Sequence, residues 1–201
     1  LAEKIERHAD LIAGQFITPL TGYSNYGGQF AIDTGCYSHF HAKAFGRLLE
    51  RDSGLRDACL FVVVPDVVGS ARRTLEVWRQ RHLFVRGGWR LAFVAQDGIE
   101  DLDIPWGEID CLFVGGRDPW KDSQASMDVV KAAKILGKHV HVGRVNEIKR
   151  YERFAELGAD TCDGSGVAKY DHMLDNIARA LAASPVPTLF DSQIEDQSVS
   201  C

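Results

Sequence analysis

Four polar residues each stand where a run of apolar, strand-like residues stops: Asp33 in QFAIDTG, Asp66 in LFVVVPD, Gln96 in LAFVAQD and Asp163 in ADTCDGSG. Carboxyl groups brought together can exchange protons or act as nucleophiles. In a barrel of parallel strands the side chains at the carboxyl ends converge on one mouth, so acids at those positions point to catalysis. Each also admits a plainer reading. An Asp opening a turn is often an Asx-turn or a helix cap, Gln96 can be a satisfied core amide, and Gly115-Gly116 can be a tight turn. His39 and His41 flank Phe40, and His139 and His141 flank Val140 in a strand, so each pair projects to one face. Two such imidazoles can hold a metal, but no third ligand has suitable spacing, so neither a metal nor another cofactor is expected.

The elements that must position these groups alternate. Apolar runs predict strands at 15 to 19, 29 to 33, 58 to 65, 90 to 95, 109 to 115, 138 to 143 and 160 to 163. Helical patterns fit 39 to 52, 70 to 82, 123 to 136, 146 to 157 and 170 to 183. Ser70 stands where a helix cap is wanted, and Gly137 and Gly158 follow helix ends. This is the order of βα units, and it predicts an α/β fold, a TIM-type (β/α) barrel. Seven strands is one short of a regular barrel, so either a short strand escapes this reading or the barrel is irregular around residues 20 to 30, where TGYSNYGG looks like a loop. An open doubly wound sheet is the main rival. It would bring a phosphate loop after the first strand, and neither GxGxxG nor GxxxxGK[ST] occurs.

The 201 residues fit one domain over 1 to 183, followed by an aperiodic tail over 184 to 201 with two prolines in its SPVP segment. No apolar run approaches the roughly 20 residues that span a bilayer, so a soluble chain with no membrane partner is expected. The N-terminal LAEKIERHADLIAGQF reads as an amphipathic helix rather than a signal peptide. Five cysteines without CxxC spacing, mostly in apolar contexts, suggest packed thiols and a reducing, cytoplasmic setting. A formal net charge of -5 argues against general affinity for nucleic acid. Six arginines from Arg72 to Arg90 against the single acid Glu76, interleaved with Trp78, Phe84 and Trp89, form the one candidate backbone-binding patch. The plainer reading, and the favoured one, is a solvated helix with arginines suited to the turns near its C-terminus.

Taken in order, IDTG, VPD, FVAQDG, FVGGRD, HVGRVNEIKR and LGADTCDGSG over residues 29 to 166 resemble the barrel of the tRNA-guanine transglycosylase superfamily. The small size resembles the compact 7-deazaguanine transglycosylase-like proteins of phages and genomic islands, some of which modify DNA. The resemblance implies exchange of a guanine-type base for a 7-deazaguanine. Asp163 would be the nucleophile, through an oxocarbenium-like transition state, and Asp33 the general acid and base. Asp66 would accept hydrogen bonds from one edge of the base. Gln96 and the backbone N–H groups of Gly115 and Gly116 would read the other edge, with Gly143 and Arg144 completing the substrate-binding set and Tyr37 or Trp120 as stacking candidates. DNA or tRNA would track along Arg72 to Arg90.

Departures are equally visible. The zinc-binding CxCxxC of the tRNA enzymes is missing from this sequence, Cys36 replaces the second glycine of the family's DSGG turn, and VGRVN brings Arg144 to the mouth, either for a phosphate or for a rim salt bridge. Three other functions fit the same acids: base exchange or N-glycoside hydrolysis on a free nucleoside or nucleotide, a metal- or phosphosugar-dependent lyase or aldolase, and a binding barrel without turnover.

Overall fold

The structure is a computed structural model that describes residues 11, 14–20, 28–35, 40–164 and 171–183. Most of the expected N-terminal helix, most of TGYSNYGG, Cys36, Tyr37, His39 and the tail over 184 to 201 lie outside the described residues, and Gln15 and Phe16 at the end of that N-terminal segment belong to a strand. Seven strands form a single sheet in sequence order, every neighbouring pair parallel. They are β1 (Gln15–Ile17), β2 (Phe30–Ile32), β3 (Cys59–Val63), β4 (Leu91–Ala95), β5 (Cys111–Val114), β6 (His139–Val142) and β7 (Thr161–Cys162). Each falls inside a stretch the sequence marks as a strand. The helices are α1 (Ala42–Arg51), α2 (Ala71–Arg86), the one-turn α3 (Asp118–Lys121), α4 (Gln124–Ile135), α5 (Ile148–Glu156) and α6 (Asp171–Ala183).

Local chemistry explains the boundaries. The ends of α4 and α5 close with paired bonds, Lys138 N–H to Ala133 O and Gly137 N–H to Lys134 O in one, Ala159 N–H to Phe154 O and Gly158 N–H to Ala155 O in the other. Ser123 caps α4 by accepting the Ser126 N–H (3.3 Å). Ser70 occupies the N-cap position of α2 but makes no side-chain capping bond. The carbonyl of Asp97 instead accepts the Ala71 N–H. Two 3-10 segments, Ser53–Ala58 and Ile99–Asp101, fall where the sequence shows no helical period. Such short turns carry none.

The sheet is strongly curled. In a flat sheet β1 and β6 would lie about 24 Å apart at roughly 4.8 Å per strand, yet the Phe16 and His141 rings are 5.4 Å apart. Phe61 on β3 likewise meets His141 at 5.0 Å. The period-two alternation of the strands sorts side chains accordingly. Leu91, Phe93 and Ala95, with Leu112, Val114, Val140 and Val142, pack outward under the helices, whereas Ala92, Val94, Cys111 and Phe61 face inward with Phe16 and Phe113. Between Phe30 and Ile32 the β2/β3 register shifts, so that Leu60 and Phe61 in succession both join the inner cluster. That bulge adds bend where β3 needs it. The architecture is a partial β/α barrel.

Phe61 is fully buried and touches Phe16, Phe113, His139 and His141. Phe61→Ala should therefore lose about 3–5 kcal/mol of unfolding free energy in a urea titration. A loss below about 1 kcal/mol would show that the inner cluster does not hold the curl.

Candidate active site

Because all strands run one way, the residues that follow them share one end of the sheet. Asp33, Gln96, Gly115, Gly143 and Asp163 are each the first residue after β2, β4, β5, β6 and β7, and Asp66 is three residues past β3. Five of the six continue the inward parity of their strands. Together with Phe16, Val63, Val68, Val94, Phe113 and Arg144 they line one cavity of about 210 Å³. That is smaller than the roughly 300–1,000 Å³ of pockets for drug-sized ligands, and suits a single heterocycle.

The walls differ in chemistry. Asp66 Oδ2 accepts a hydrogen bond from Gln96 Nε2 (2.6 Å), and Gln96 Oε1 accepts the Gly69 N–H (2.8 Å). The amide is thus fixed in orientation, with one N–H left for a ligand. Asp33 accepts the Thr34 N–H on Oδ1 (2.8 Å) and a backbone hydrogen bond from Gly35, two residues on, the local turn that the plainer reading foresees, while its carboxyl still borders the cavity. Burial raises the Asp33 pKa above the ordinary carboxylate value, and the nearby Asp163 charge adds to the effect. Burial likewise pushes Asp66 up to about 6, against the opposing Gln96 hydrogen bond. Asp163 lines the same cavity, its Oδ1 3.0 Å from His141 Nε2.

Gly143 is required by close approach. A Cβ there would stand 2.6 Å from the Phe113 ring and 3.4 Å from Asp163 Oδ1. Its carbonyl accepts a hydrogen bond from Lys121 (2.5 Å), a fully buried ammonium whose pKa is lowered to about 8 by burial, with Arg144 and Arg150 nearby. Arg144 has the left-handed φ of 57°, and its Nη2 donates to the Gly116 carbonyl (2.7 Å).

The structure departs from the expected roles at several points. The N–H groups of Gly115 and Gly116 both donate to Ala95 O (3.0 and 3.1 Å), so neither aims at the cavity. Gly116 does not line it. It packs against Trp120, whose ring a Cβ would meet at 2.1 Å. Trp120 is buried with Nε1 bound to Glu100 (2.8 Å), and the aromatic walls are Phe16 and Phe113 instead. Their signal was available, since Phe113 lies two residues before Gly115 on the same strand face. His139 and His141 share a face as expected, but both rings bond the Thr161 hydroxyl (2.8 and 2.9 Å). Among the described residues no group of three or more His, Cys, Asp or Glu is arranged to hold a metal ion.

The arginine stretch does not encircle the mouth. Arg72 and Arg73 open α2 at that end, whereas Arg90 binds the Cys59 carbonyl (2.9 Å) beside the amino ends of β3 and β4. Trp78 and Trp89 are buried in the core. Among the described residues no helix is long and apolar enough to cross a membrane. Compared with known proteins, the chain matches no family model and no curated protein.

Folded protein retains the Asp66 proton up to about pH 6, while the unfolded chain releases it near pH 4. Stability should therefore fall as pH rises through that window, with Asp33 acting in the same direction. Asp66→Asn should flatten this fall and stabilise the protein by about 1–3 kcal/mol at pH 7. Melting curves from pH 4 to 7 test it, and parallel declines for both proteins would refute the assignment.

Proposed function

We propose that this chain is a transglycosylase built on a TIM-type barrel, exchanging a guanine-type base for a 7-deazaguanine in DNA or tRNA through a covalent intermediate on Asp163. The observation that carries this reading is that Asp33, Asp66, Gln96 and Asp163, from four separate strand ends, line one base-sized cavity. The Asp66 carboxylate, ionised above about pH 6, accepts the ring N–H and exocyclic amine of the base. The remaining Gln96 N–H donates to its carbonyl.

Asp163 attacks the anomeric carbon as the glycosidic bond breaks, its electron pair leaving with the base. Asp33, whose pKa burial raises, gives its proton to the departing base. The incoming base returns a ring proton to Asp33 and attacks the same carbon, releasing Asp163 as the carboxylate. Each step balances without a cofactor. The free thiols of Cys59, Cys111 and Cys162 agree with a cytoplasmic location.

A second reading, base exchange or hydrolysis on a free nucleoside or nucleotide, is favoured by the course of α2, which carries most of the arginine stretch away from the mouth.

The wild type should incorporate a labelled 7-deazaguanine into duplex DNA or tRNA and leave a covalent nucleic-acid adduct on denaturing gels. Asp163→Ala should lose both by at least about 1,000-fold. Incorporation into guanosine alone would select the second reading, and none into any acceptor would sink the proposal.

A further inference from the structure

Beneath Asp163 a hydrogen-bonded chain runs through the interior of the curled sheet. His139 Nε2 lies 2.8 Å from Thr161 Oγ1, which lies 2.9 Å from His141 Nδ1, and His141 Nε2 lies 3.0 Å from Asp163 Oδ1. The β6/β7 register sets this up by pairing His141 directly with Thr161, leaving Asp163 diagonal to it. Phe16, Phe61 and Phe113 surround the His141 ring at 5.4, 5.0 and 4.6 Å. They shut water away from the ring.

Counting protons fixes the direction of the chain. A carboxylate only accepts, so His141 Nε2 carries the hydrogen towards Asp163. In the neutral ring Nδ1 must then accept, and the one Thr161 hydrogen goes there. The hydroxyl oxygen in turn accepts from His139 Nε2–H. Burial lowers the His139 pKa, which favours the neutral ring this pattern needs.

On the transglycosylase reading, we propose that His141 is a positioning residue for the nucleophile, held in its Nε2–H tautomer by Thr161 and His139. Its bond occupies Asp163 Oδ1 and leaves Oδ2 as the attacking atom. When the Oδ2–C1′ bond forms and the C1′–N bond breaks, Oδ1 becomes the ester carbonyl and keeps the His141 hydrogen bond. When the ester breaks, the same N–H meets the charge returning to the carboxylate. The ionisable groups around His141 are Asp163 just after β7, Cys111 on β5 and His139 on β6, with Asp33 beyond Asp163.

Two measurements test this. Ring 15N spectra should show His141 as the Nε2–H tautomer in the wild type, and that preference should weaken in Thr161→Val and be retained in Thr161→Ser. An Nδ1–H tautomer in the wild type would overturn the proposal whatever the enzyme does. In single-turnover assays His141→Leu should slow adduct formation by roughly 10–100-fold, with base affinity unchanged. His141→Gln, which can place an N–H near the Nε2 position, should recover most of the rate. Unchanged adduct formation in a folded His141→Leu protein would also overturn it. A wild type that shows the Nε2–H tautomer but forms no adduct would instead defeat the transglycosylase reading and leave the hydrogen-bonded chain standing.

Discussion

The contact among Phe16, Phe61, Phe113 and His141 is what makes a mouth of seven strand ends. These side chains come from β1, β3, β5 and β6, and their rings meet within 4.6 to 6.4 Å. They can do so only if the sheet closes around them. Burying them in one interior cluster drives that closure at about 25 cal/mol per Å² of apolar surface, while Ala31 and Ala92 leave room on the same face. Once the sheet is curled, parallel direction alone brings Asp33, Gln96, Gly115, Gly143 and Asp163 to a common rim.

That rim concentrates negative charge. Three carboxyl groups share a cavity with apolar walls, and burial raises the pKa values of Asp33 and Asp66. Asp163 has a buried imidazole nitrogen 3.0 Å from its Oδ1. The three groups therefore occupy unequal environments, the condition under which one carboxyl can carry a proton while another serves as an anion. An amide-locked acid, a turn-bound acid and an imidazole-bound acid are three distinct tools at one site.

Much of this was legible because the strands keep period two up to their last residue. Ala31 and Asp33, Val94 and Gln96, Phe113 and Gly115, His141 and Gly143, and Thr161 and Asp163 are each two apart, so inward packing of the first carries the second to the cavity. Asp66 breaks that parity and owes its place to the turn after Pro65 and to Gln96. Other features depended on partners distant in sequence. The bonds of both glycine N–H groups to Ala95, the packing of Trp120 on Gly116 and the link from His141 to Asp163 follow from cross-strand register. No local pattern encodes those. The short 3-10 turns escaped for the opposite reason, being too short to show a period.

Arg144 illustrates how the rim is held. A non-glycine residue at φ 57° costs on the order of 1 kcal/mol, and it persists here because the guanidinium is tied to the Gly116 carbonyl across the cavity edge. Beneath it Lys121 binds the Gly143 carbonyl, while Arg150 bridges Asp118 and Asp122. Two successive residues after β6 are thus anchored to the segment that follows β5. Arg117 ties that same segment back to Asp97, after β4 (2.8 Å). The loops of three consecutive strands form one braced wall, and Gly143 leaves Asp163 the space against it. A guanidinium committed to a backbone carbonyl in this way acts first as a brace, and any role in binding a phosphate would have to compete with that bond.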